Sequence, residues 1–204
     1  MKNSELYNKL DVMIPNPKCE LNYNKDYELL IAVMLSAQCT DKRVNIVTKD
    51  LFDKYDLIQL SNLDVNDIEK MLYSLGSYHK KALYLKSIAT SLLKDYNGTV
   101  PNNRQYLESL PGIGRKTANV VLSELFNIPT VAVDTHVERV CKRLGLVDKK
   151  DDVVKIEKKL NKYLDIEKYN RVNHQLVLFG RYICLAKNPK CNDCLFNCKQ
   201  KKAI

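Results

Sequence analysis

No stretch of this 204-residue chain reaches the roughly 18 consecutive apolar residues that a membrane-spanning helix needs, so no transmembrane segment is expected. The opening residues, MKNSELYNKLDVM, lack the apolar centre of a secretory signal and carry acidic side chains. Nothing alternates apolar and polar residues over the length of a strand, no internal repeat is visible, and no low-complexity linker divides the chain. Glycine and proline are scarce, six of each. Three of those twelve, Pro111, Gly112 and Gly114, fall within one four-residue stretch, and that concentration needs a reason.

What the chain does have is helical spacing and positive charge. The formal net charge is +9, which favours a polyanionic partner, although charge alone does not separate nucleic acid from an acidic surface. Residues 27–38, YELLIAVMLSAQ, are apolar nearly all round and predict a helix at the centre of a bundle. Asp64 is placed to cap a helix whose apolar face is Ile68, Met71, Leu72 and Leu75. Leu85, Ile88, Ala89, Leu92 and Tyr96 recur at helical spacing up to the stop signal Asn97-Gly98. Ala118, Val121, Leu122 and Leu125 form the next stripe. Val133, Val137, Val140, Cys141 and Leu144 form another, closed by Gly145, and Val153, Ile156, Leu160 and Leu164 a third. The predicted fold class is all-α.

Seven cysteines without a signal sequence suggest a reducing compartment, the cytoplasm, where clustered thiols more often bind metal than pair as disulfides. Cys184, Cys191, Cys194 and Cys198 follow the pattern C-x6-C-x2-C-x3-C. Four thiolates in one short segment suit either zinc or an iron–sulfur cluster. A zinc ribbon separates its two pairs by a longer stretch, so the compact run leans towards a cubane cluster, with a zinc knuckle as the alternative. Cys19, Cys39 and Cys141 lie among apolar residues and are expected to pack as small hydrophobes.

The turn itself is LPGIG, 110–114, between two apolar-periodic runs. Its glycines permit a tight turn and close approach to a ligand, and the helix that follows points its first N–H groups and its positive end the same way. A DNA phosphate fits that arrangement without any reading of sequence. A plain helix–turn–helix connector is the simpler alternative. Lys116 comes just inside the second helix, beside Arg115. Most lysines are solvated surface charges, but an amine activated by cationic surroundings can attack carbon and form a Schiff base. Eighteen residues later, in VAVDTHVERVCKR, Asp134 with Thr135 reads as a helix N-terminus. Its carboxylate either caps that helix or balances charge on a sugar ring, and His136 reads as structural.

Taken together, LLIAVMLSAQCTD, LPGIGRKTANVVL, VAVDTHVERVCKR and the cysteine tail resemble the endonuclease III family, bifunctional DNA glycosylases and abasic-site lyases of the helix–hairpin–helix superfamily. The resemblance implies two helical lobes with a DNA-binding cleft between them. One would be a six-helix barrel over 19–128, including the helix–hairpin–helix at 107–122. The other would join 1–18 to 129–204 and carry a [4Fe–4S] cluster in the loop 184–198. It implies Lys116 as nucleophile, Asp134 as its carboxylate partner, and Cys184, Cys191, Cys194 and Cys198 as cluster ligands. The hairpin residues Gly112, Ile113, Gly114 and Arg115 would grip the strand backbone, and Lys187 and Lys190 would add phosphate contacts. Gln38 would fill the gap left by a flipped nucleotide. The implied partner is double-stranded DNA containing oxidised pyrimidines or abasic sites, bound by a monomer, nucleoid-associated if the source is bacterial.

Two departures stand out. The family usually places five residues between its last two cysteines, and this chain places three between Cys194 and Cys198. The family also tends to carry a leucine wedge where LGSYHKK puts Ser77. Serine cannot fill a base-sized hole as an apolar plug does, which leaves Gln38 or Tyr78 to compensate. Among rivals, adenine-mismatch glycosylases typically have serine in place of Lys116, and thymine-mismatch glycosylases usually differ there too. A non-catalytic DNA-binding module would leave the pairing of LPGIGRK with VDTH unexplained.

Overall fold

The computed structural model describes residues 1–198, and among these every regular element is helical. The chain divides into two compact units, one contiguous, Cys19–Phe126, and one assembled from Met1–Lys18 together with the chain from Asn127 onward.

In the contiguous unit, α2 (Asp26–Leu35) is buried along its whole length from Tyr27 to Leu35, as its apolar circumference requires. It packs against α3 (Asp41–Lys54), α6 (Tyr78–Tyr96) and α8 (Arg115–Phe126), while α4 (Leu57–Asn62) and α5 (Val65–Leu72) lie against α6. The short α7 (Arg104–Ser109) precedes α8. Buried Glu28 is tolerated because its carboxylate accepts the N–H groups of Asn24 (2.7 Å) and Lys25 (3.2 Å), two donors that the start of α2 leaves unmatched. The local signals act as their chemistry dictates. Asp64 caps α5 through the Asn66 N–H at 2.8 Å. Asn97 and Gly98 take left-handed backbone after α6, and the Gly98 N–H returns to the Leu92 carbonyl at 2.9 Å. One boundary differs from the sequence reading, since α2 stops at Leu35 and Ser36 to Cys39 form a turn.

The assembled unit surrounds a core of Leu6, Leu10, Val137, Val140, Cys141, Ile156, Leu160, Leu176 and Phe179. These come from α1 (Asn3–Met13), α9 (Thr135–Leu144), α10 (Val153–Tyr163) and α11 (Tyr169–Tyr182). Helix α11 packs on both α9 and α1. The contact with α9 is close because Gly180 presents no side chain; a Cβ there would come within 2.9 Å of the His136 Cβ. Helix α1 is fastened by Asp11, which accepts from Arg171 (2.7 and 2.9 Å) and Gln175 (2.8 Å). Cys141 is fully buried and its thiol is pushed up to about 12 by that burial, so it packs as the apolar residue the sequence suggests. After α11 the chain folds back, and Phe196 is buried edge-on against Phe179 with ring centroids 5.3 Å apart.

Candidate active site

Between α7 and α8, Leu110 and Ile113 are buried, and the turn closes through Leu110 N–H to Leu107 O and Ile113 N–H to Leu110 O, both 3.1 Å. Gly112 has φ +79, and a Cβ on it would stand 2.6 Å from Tyr84 Cδ2 and 3.2 Å from Met34 Cγ. The turn is therefore clamped against α6 and α2 at a position only glycine fits. Gly112→Ala is expected to cost about 2–4 kcal/mol, from left-handed backbone and overpacking together. A fall in the urea midpoint with an unchanged slope would show it. Ile113, expected among the DNA contacts, gives its side chain to the core and its N–H to Leu110. Its side chain anchors the turn, and the exposed residues there are Gly112, Gly114, Arg115 and Lys116. The Gly114 carbonyl accepts the Ala118 N–H at 3.0 Å and so starts α8. Lys116 is thus the second residue of a helix whose first-turn N–H groups face the same way as the turn.

Asp134 is the N-cap of α9. One carboxylate oxygen accepts the N–H groups of His136 and Val137, both at 2.8 Å, and the other lies 3.1 Å from His136 Nδ1. The side chain is only 12 % exposed. The capping role is therefore real, and His136 is tied to the carboxylate as a structural partner. A carboxylate held by three polar neighbours keeps a fixed orientation, which suits it to meet a developing positive charge.

Gln38 and Ser77 are both exposed and both left-handed, with φ +58 and +59. Tyr78, beside Ser77, is half-buried, its ring 5.2 Å from that of Tyr73 and 4.0 Å from that of His79. Cys39 does not pack as a simple hydrophobe. Its sulfur accepts a hydrogen bond from Lys81 Nζ at 3.3 Å.

Cys184, Cys191, Cys194 and Cys198 line one hollow, together with Leu144, Phe179, Ile183, Pro189, Lys190 and Phe196. Two arginines of α9, which nothing in the sequence singled out, fasten the chain around it. Arg139 donates to the carbonyls of Gly180 (2.7 Å) and Cys184 (3.1 Å). Arg143 donates to those of Leu185 (2.6 Å) and Ala186 (3.0 Å). Lys187 and Lys190 are exposed on the segment so held. Four soft thiol donors in an apolar hollow fit a thiolate-bound group. Among the described residues no three His, Cys, Asp or Glu side chains are gathered closely enough for a single metal ion. Tetrahedral zinc with Zn–S near 2.3 Å would need its sulfurs about 3.8 Å apart. A cluster takes each thiolate on a separate iron, so its four sulfurs lie farther apart than those around a single zinc.

Residues 31–165 match the HhH-GPD superfamily of base excision DNA repair proteins. The chain is 44 % identical to endonuclease III of Bacillus subtilis (strain 168) over 91 % of its own length and 85 % of that protein's. It is 43 % identical to endonuclease III of Haemophilus influenzae, over 100 % and 97 %. Among solved structures it is similar to a trapped endonuclease III–DNA covalent intermediate, with a TM-score of 0.93, 42 % identity, and 100 % of this chain and 98 % of that one covered.

Proposed function

Because the chain belongs to the HhH-GPD superfamily of base excision DNA repair proteins, and within it to the endonuclease III family, we propose the following assignment of its residues to the chemistry of repair. The protein is a DNA glycosylase with abasic-site lyase activity, and its substrates are oxidised pyrimidines and abasic sites in duplex DNA. A damaged base is turned out of the stack, because its sugar carbon cannot be reached inside the duplex. Gln38 and the residues around Ser77 occupy the space it leaves. The Gly112 and Gly114 N–H groups, the first turn of α8 and Arg115 hold the strand by its phosphates, with Lys187 and Lys190 adding charge from the cysteine segment.

The Lys116 amine attacks C1′, the bond from C1′ to the base breaks, and the electron pair leaves with the base. Asp134 stabilises the positive charge that develops on the sugar. Ring opening gives a Schiff base on Lys116, which acidifies the C2′ proton. Its loss expels the 3′ phosphate by β-elimination, and water then releases the lysine. Cys184, Cys191, Cys194 and Cys198 would hold a [4Fe–4S] cluster, which would cross-link the segment carrying Lys187 and Lys190. Visible absorption characteristic of iron–sulfur, which zinc lacks, checks that assignment.

The observation that carries the reading is a clamped LPGIG turn leading directly into an exposed lysine in the first turn of α8. The test is borohydride trapping of the purified protein on a duplex with one abasic site. A covalent adduct is the expected result. None from folded, cluster-loaded protein would exclude the lyase reading.

A further inference from the structure

We propose that Lys81 is a positioning residue that presets the Gln38 loop for entry into the DNA, a role that rests on the glycosylase reading above. The other described non-glycine residues with positive φ are Asn97, Asn127 and Asn188, a residue type that tolerates left-handed backbone. Gln38 and Ser77 have no such licence, so something around them must hold the conformation.

Lys81 is the fourth residue of α6, one turn after Ser77. Its backbone N–H donates to the Ser77 carbonyl at 3.1 Å, the first-turn helix bond that any residue here would make. Its Nζ donates to the Ala37 carbonyl at 2.8 Å and to Cys39 Sγ at 3.3 Å, the residues on either side of Gln38. The Ala37 carbonyl belongs to the peptide plane whose rotation is φ of Gln38, so fixing that oxygen fixes the left-handed turn. A lysine in a DNA-binding protein is ordinarily a phosphate contact, but Lys81 is 4 % exposed and its ammonium points into the protein. A buried ammonium must keep its acceptors, and here the acceptors are the loop itself.

The consequence is preorganisation. Gln38 stands ready in its inserted conformation, and the ordering cost is met on folding rather than at each encounter with DNA. Without Lys81 the loop relaxes towards ordinary backbone, and Gln38 must be reordered each time a base is extruded. That loss falls on base extrusion from paired duplex and spares the chemistry of Lys116 on a nucleotide already free.

The experiment compares cluster-loaded wild type with Lys81→Met and Lys81→Gln on two substrates. One is a duplex carrying thymine glycol with 2-aminopurine beside it. The other is a single strand with one abasic site, scored by borohydride trapping. Lys81→Met is expected to slow single-turnover excision from the duplex at least tenfold and to lose the 2-aminopurine signal, with single-strand trapping within twofold of wild type. Lys81→Gln, one bond shorter and uncharged, is expected to lie between the two. Should Lys81→Met fail to fold, Lys81→Gln decides alone, and wild-type excision by it overturns the proposal. Wild-type excision by folded Lys81→Met overturns it equally. A parallel loss on both substrates that follows the melting temperature also overturns it, since that is the mark of a merely structural lysine. Absence of trapping by wild type on the abasic single strand is a different failure, that of the lyase reading itself.

Discussion

Lys116→Gln is expected to give no covalent adduct on borohydride treatment and to lower strand cleavage at abasic sites by at least about a thousandfold, roughly 4 kcal/mol of barrier. The size follows from the proposed chemistry. The amine is the atom that bonds to C1′, and an amide nitrogen, whose lone pair is delocalised, cannot form the Schiff base that makes the C2′ proton acidic. Glutamine suits the control because it is nearly as good a helix former as lysine, and the side chain it replaces is exposed on α8. Stability should therefore stay within about 0.5 kcal/mol of wild type. DNA binding should weaken by little more than one phosphate-range charge, seen as a slightly shallower salt dependence. Trapping, cleavage and thermal melting measured on one preparation separate these effects. An adduct surviving in Lys116→Gln would put the nucleophile on another amine.

The second large effect belongs to Asp134, where two roles share one carboxylate. Asparagine caps a helix about as well as aspartate, and its oxygen can take the N–H groups of His136 and Val137 as the present oxygen does. Asp134→Asn should then lose no more than about 1 kcal/mol of stability, mostly the interaction of a negative charge with the helix N-terminus. Base excision should fall by about 10²–10³, because a neutral amide gives little to a cationic sugar in the transition state. Asp134→Ala removes both roles and should add about 1 kcal/mol of destabilisation to a similar catalytic loss. Single-turnover excision and urea midpoints on the pair decide between the roles. If Asp134→Asn excises at the wild-type rate, capping is the whole role of this residue.

Much of the fold was legible because its signals are local. Apolar spacing marks α5, α6, α8 and α9, and Asp64, Asn97-Gly98 and Gly145 act where their backbone chemistry says they should. The end of α2 was not legible. A segment apolar on every side has no polar stripe whose loss would announce the last turn, and Ser36, Ala37 and Gln38 are all acceptable in a helix. The residues that brace the candidate site were also hidden. Lys81, Arg139 and Arg143 read as ordinary solvated cations, yet each spends its donors on backbone carbonyls about 40 positions away, with separations of 44, 41 and 42 for Ala37, Gly180 and Leu185. A carbonyl carries no side-chain signature, so no spacing rule points to it. For the same reason Cys39 read as apolar filling, although its sulfur accepts from a buried ammonium.

The fastening of α1 has a consequence for the order in which the protein is made. Asp11 and Arg171 are 160 positions apart, and closing a loop of that length costs about 4–5 kcal/mol of chain entropy before any contact repays it. All the helices of Cys19–Phe126 can emerge from a ribosome and pack while α1 still has no partner in its own unit. Leu6 and Leu10, fully covered in the finished molecule, stay open to other apolar surfaces until α11 is synthesised. The vulnerable species is thus a nascent chain with one half complete and its first helix waiting, and chaperone capture or aggregation during translation should concentrate on that helix.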